Sequence, residues 1–286
     1  MIEMIDLCRV ELFKIRKRVL PWVLLVVAGG VFTLFLWLNL YRFVKTMVQV
    51  RRTMGDLSAI KVEFLHNFNI MYGQGGGLLS RALYWPNNLY RTFVDAVAIF
   101  FAAGAFNQDA STGMSRILMG HGLRRSRYLA AQGAALLASL VFAWSTIALV
   151  MLLLASAYTY FLKGEFVWQS SYWVDVLRMI AGNSLRYFSV GCFVHLTIVL
   201  SRKPLLGVLG GVFYFLQIEP IVPWLLGKHN LPQLIPYTPL HASNALLDPS
   251  VAMTGLDLVR ALLVLFLSGA LSLALAAVIF NKRDLA

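Results

Sequence analysis

Apolar and polar residues along this chain are arranged in long blocks rather than short periods. No charge occurs from Val19 to Tyr41, from Tyr128 to Leu162, or from Ala261 to Asn281. Three further apolar blocks carry isolated ionisable groups: 92–108 with Asp95, 179–201 with Arg186 and His195, and 204–226 with Glu219. About twenty apolar residues is the length a helix needs to cross the hydrocarbon core of a bilayer. No two-residue alternation competes with these blocks. The pattern therefore predicts an all-α polytopic membrane protein with six transmembrane helices. The 35 uncharged residues of 128–162 exceed one upright span, so that helix either tilts strongly or continues beyond the membrane.

The segments between the blocks differ in kind. Residues 42–91 form a long external connection containing "YGQGGGLLS", which lacks the spacing and the Gly-Lys-Ser/Thr ending of a phosphate loop and is expected to be a mobile link. Residues 227–255 hold Pro232, Pro236, Pro239 and Pro249, which excludes a long regular helix. Apolar residues persist there, so this segment is expected to tuck into the membrane face or cap the bundle. At the N-terminus, a helical wheel gathers Met4, Ile5, Cys8, Leu12 and Ile15 on one face. Glu3, Asp6, Arg9, Glu11, Lys14 and Lys17 fall on the other side. Such a helix lies along a membrane surface, its basic end near anionic headgroups. Interleaved charge excludes a cleavable signal peptide as the reading of residues 1–20. The whole chain reads as one transmembrane domain.

Composition agrees. Of 286 residues 59% are hydrophobic and 13% charged, about half the charge of an ordinary soluble domain. The net charge of +12 would suggest nucleic acid in a soluble protein, but here the basic residues flank apolar blocks and report orientation. With both termini in the cytoplasm, 13 Lys and Arg fall on that side and four on the other, while 42–91 opposes the bias with seven. Those fifty-odd residues approach the length at which loop charge stops steering topology, so the expectation is N-in and C-in.

Catalytic chemistry has little to stand on. The chain has no H-E-x-x-H, no G-x-S-x-G and no paired cysteines. Cys8 and Cys192 read as small buried hydrophobes. His66, His121, His195, His229 and His241 are scattered over different segments, so no metal site is expected. His195 reads as an interior hydrogen-bonding residue, and His241 with Asp248 is the one conceivable acid–base pair, weighed against ordinary surface roles. Charges inside the spans say more, because they are costly in lipid and face the bundle interior or a wet cavity. Asp95 and Arg186 have opposite signs and can pair, either locking helices or lining a transport pathway. Glu219 is the third candidate for such an ion pair or pathway, although it lies close to the outer end, where a carboxylate can reach water.

Between the second and third blocks stands "DASTGMSRILMGHGLRRSRY". An acid at the end of the second span, then a Gly, a short helix and Leu-Arg-Arg resembles the cytoplasmic loop of ABC-2 type transporter permeases. "ELFKIRKR" at 11–18 is similar to that family's surface helix before the first span, and "FNKRDL" at 280–285 to its C-terminal ending. Met114 departs from the Thr common after the Gly, and "GHGL" lacks a frequent Pro. The resemblance implies a coupling helix at 109–127 that docks on a separate ATPase subunit. Its contact residues would be Asp109, Gly113, Arg116, Leu118, Gly122, Leu123, Arg124 and Arg127. It further implies an exporter subunit of a bacterial cytoplasmic membrane, working with a second permease copy or a paralogue. The chain itself would hold no cofactor and have no enzymatic activity; ATP and Mg2+ would be bound by the ATPase partner. A different class stays open: a non-transporting scaffold, or a membrane-embedded enzyme, recruiting a soluble partner through the same loop.

Overall fold

The architecture was taken from a computed structural model, which describes residues 4–17, 96, 98–104, 125–163, 171–247 and 255–282. Among these residues every regular element is helical. In chain order they are α1 (Met4–Lys17), α2 (Arg125–Lys163), α3 (Ser171–Ser201) and α4 (Pro204–Phe213). A π-helical turn (Tyr214–Ile218) then leads directly into α5 (Glu219–Lys228). A 3-10 turn (Pro232–Tyr237), α6 (Pro239–Leu247) and α7 (Gly255–Lys282) complete the order. Residues 98–104 form a further helical stretch inside the second apolar block.

Among the described residues, three helices are long and apolar enough to cross a membrane: Ser126–Leu149 within α2, Val176–Ser201 within α3, and Gly255–Lys282. That is fewer than the six spans the sequence pattern predicts, for two separate reasons. The first block, 19–41, and most of the second lie outside the described residues. The fifth, 204–226, is helical throughout but divided by the π turn, so that no unbroken apolar helix there reaches spanning length. The overlong third block is one continuous helix of 39 residues.

α3 is the hub. Trp144 of α2 stacks on Tyr187 of α3 with ring centroids 5.6 Å apart. Ile99, Ala102, Leu136, Leu140, Val190 and Val194 share its apolar core. Small residues let neighbouring backbones approach, the usual device for helix association where lipid is as apolar as leucine. A Cβ on Gly211 of α4 would sit 2.7 Å from Val194, and one on Gly269 of α7 would sit 2.7 Å from Phe188 and 3.1 Å from the Ser189 backbone.

The α3–α4 hairpin is tight for local reasons. Arg202 takes a left-handed conformation at φ 58°, its N–H bonds the Ile198 carbonyl at 2.8 Å, and Pro204 starts α4 with φ already set. α5 ends similarly. Asn230 at φ 57° suits a residue type that tolerates this region, and Leu231 N–H reaches back to the Leu226 carbonyl at 2.9 Å, closing the last turn in the manner of a Schellman motif. The Pro-rich segment beyond folds back on the bundle. Thr238 caps α6 through its hydroxyl to His241 N–H. Ala242 and Leu246 are buried with Ala261 and Leu265 of α7, and Leu185 of α3 packs against this cluster.

α1 packs on α2. Among its described side chains, those of residues 6–14, Leu7 and Glu11 are buried, and Glu11 holds Lys14 at 2.7 Å. Leu12 and Phe13 are exposed and Cys8 half-buried. Glu11, assigned to the polar side by periodicity alone, is inside.

Candidate functional site: a buried ion pair beside a broken helix

Two ionisable side chains meet inside the bundle. Arg186 Nη2 donates to Glu219 Oε2 at 3.3 Å, and each side chain is only 4% exposed. Each residue lies fifteen positions from the α3–α4 turn, Arg186 before Ser201 and Glu219 after Pro204. At 1.5 Å rise per residue both stand about 22 Å from that turn, deep within any span that begins there. The two arms of a helical hairpin thus carry opposite charges at one level, which explains their meeting.

The pair belongs to a polar strip. The Tyr214 hydroxyl hydrogen-bonds Ser189 and feels the charges of both Glu219 and Arg186. Ser189 in turn shares a 2.7 Å hydrogen bond with Ser268 of α7. The strip therefore links the π turn, α3 and α7. Asn183, Ser184 and His195, also on α3, are buried nearby in sequence.

The backbone beside Glu219 is irregular, and its sequence cause is visible. Pro220 and Pro223 lack an N–H, so two carbonyls one turn upstream lose their α-helical donors. The chain compensates with a wider turn: Glu219 N–H bonds the carbonyl of Tyr214, five residues back. Single π turns of this kind occur often at functional sites. Glu219 thus closes the π turn with its backbone and reaches α3 with its side chain. It is also the one buried residue of α5; Ile221, Val222, Trp224 and Leu225 beyond it are exposed.

Sequence reasoning named Asp95, Arg186 and Glu219 as candidates for an intramembrane ion pair or a transport pathway, offered Asp95 as a partner for Arg186, and noted that Glu219 could reach water. Glu219 is instead buried on Arg186; Asp95 lies outside the described residues. Tyr214, Ser189 and Ser268 were missed, since an isolated hydroxyl in an apolar run carries no signal of its own. The proline pair was the available clue to the broken helix. Of the loop residues, Asp109, Gly113, Arg116, Leu118, Gly122, Leu123 and Arg124 lie outside the described residues, while Arg127 is exposed in the first turn of α2. His195 is buried on α3, Cys192 is buried and His241 is exposed. Among the described residues no group of three His, Cys, Asp or Glu side chains is placed to hold a metal ion.

No protein-family model matches the chain, and no curated protein matches it in sequence. The function therefore has to be argued from the residues.

Proposed function

We propose that this chain is the membrane subunit of an ABC-type exporter, coupling ATP hydrolysis by a separate ATPase to movement of a cargo across the bacterial cytoplasmic membrane. In this reading six helices span the bilayer, with 19–41, 92–108 and the divided 204–226 joining the three long apolar helices, and both termini face the cytoplasm. The loop 109–127 is the coupling element, and two permease chains assemble on two ATPase subunits that bind ATP and Mg2+. The observation that carries the reading is the order of parts. An N-terminal amphipathic helix packs on α2, the same helix that leaves the charged loop, so both cytoplasmic elements are tied to one rod. A stiff helix continuous with the loop suits transmission of force, and Arg116, Arg124 and Arg127 suit acidic partners or lipid phosphates.

The test is ATPase activity in lipid nanodiscs after co-expression with the ATPase encoded beside this chain, against an Asp109→Ala/Arg116→Ala variant. The expected result is co-purification of wild type with the ATPase and loss of assembly or activity in the variant. Absence of any complex with wild type would remove the coupling-helix reading and bring forward the scaffold or membrane-enzyme reading.

A further inference from the structure

We propose that the Arg186–Glu219 pair is a releasable latch across a built-in hinge, holding α5 against α3 in one of two registers. Three features meet at Glu219. Its backbone closes the π turn onto Tyr214, the prolines beside it remove the hydrogen bonds that would stiffen the junction, and its side chain is the only buried one of α5. α5 therefore reaches α3 at its hinge end, shows an exposed apolar surface beyond it, and otherwise packs on the 3-10 turn and α6.

A π turn differs from α-helix by one extra residue per turn. If the extra residue is passed along, everything beyond shifts by one position, a rotation of about 100° and a slide of about 1.5 Å. The change is discrete, as a switch requires, because packed elements are bistable rather than continuously deformable. In the shifted register the Glu219 carboxylate leaves the face that meets Arg186, so the pair exists in one state only. A pure structural lock would be served as well by apolar residues, since a buried ion pair replaced by apolar groups of similar volume is often neutral or stabilising. Release parts α5 from α3 at this one contact, the seam between them, and uncovers the strip of Arg186, Tyr214 and Ser189.

The latch belongs to the chain itself and does not rest on the ATPase reading, so the test uses the full-length chain alone in nanodiscs. In a Cys8→Ser/Cys192→Ala background, spin labels at Leu177→Cys on α3 and Leu225→Cys on α5 report the seam by pulsed electron resonance. Labels at Leu177→Cys and Leu256→Cys form a control across α3 and α7. All three positions are exposed. Wild type should give one dominant seam distance, any second one staying within the roughly 0.1–10% typical of a minor state. Glu219→Gln should make a second seam distance dominant while the control distance is unchanged. The charge-swapped Arg186→Glu/Glu219→Arg should return it to a minor one. Should the single variant fail to fold, Arg186→Met/Glu219→Met removes both buried charges and should show the second distance too. Unchanged seam distances in folded latch-free variants would overturn the proposal. So would equal broadening of seam and control, which marks a merely structural lock, or failure of the swap to restore the wild-type distance.

Discussion

α3 and α7 are both membrane-length helices packed along one another, yet they are built on opposite principles. α7 is the more apolar, with a mean hydropathy of 2.6 against 1.3, but only 17% of its spanning window is buried inside the protein, against 61% for α3. In a soluble protein the greasiest helix would be the most buried. Here the solvent is itself apolar, so leucine gains little by turning inward, and helices associate through small side chains, close packing and hydrogen bonds. α3 accordingly carries Asn183, Ser184, Arg186, Ser189 and His195 inside, while α7 turns Leu263, Leu267 and Leu271 outward. Hydropathy finds the spans; departures from it find the interior.

This contrast can be broken or sharpened by substitution, read as unfolding free energy in lipid or detergent. The largest effect is expected at the ion pair. Glu219→Ala or Arg186→Ala should cost about 3–5 kcal/mol by leaving a buried charge uncompensated, and the double apolar replacement should cost less than either single change. Equal losses in single and double variants would contradict a pair that is mutually compensated. Next, Leu265→Ala on the inner side of α7 should cost about 2–4 kcal/mol through the cavity it leaves, because Leu265 is fully buried. Gly269→Ala should cost about 1–3 kcal/mol by overpacking, since its methyl would press on Phe188 and the Ser189 backbone. Ser268→Ala, which loses the bond to Ser189, should cost about 0.6 kcal/mol, the average for such bonds between spans. Leu271→Ala on the outer side should stay within about 0.5 kcal/mol of wild type. If Leu271→Ala cost as much as Leu265→Ala, the outward face of α7 would be a protein contact and the contrast with α3 would fail.

The helical class was legible because blocks of uncharged residues leave few alternatives, and three of them fold as helices of spanning length near where the pattern put them. α3 begins at Ser171, well before the expected 179, because helix propensity ignores the charge at Arg178 that ended the apolar block. The division at Tyr214–Ile218 escaped the reading because hydropathy does not register hydrogen-bond phase; only Pro220 and Pro223 hinted at it. The ion pair was half legible: its members stood out as charges in lipid, and their equal distance of fifteen positions from the α3–α4 turn was countable, but that the two arms face each other there was not. Glu11 shows the converse error. A wheel sorts side chains by polarity, whereas Glu11 is buried and holds Lys14.

The 39 residues of α2 make a rod of about 58 Å, while a bilayer with its headgroups is about 40–45 Å thick. Even at the average tilt of about 20° the helix stands proud of the membrane. A stiff body longer than its support acts as a lever: rocking it by about ten degrees about one end carries the other through about 10 Å.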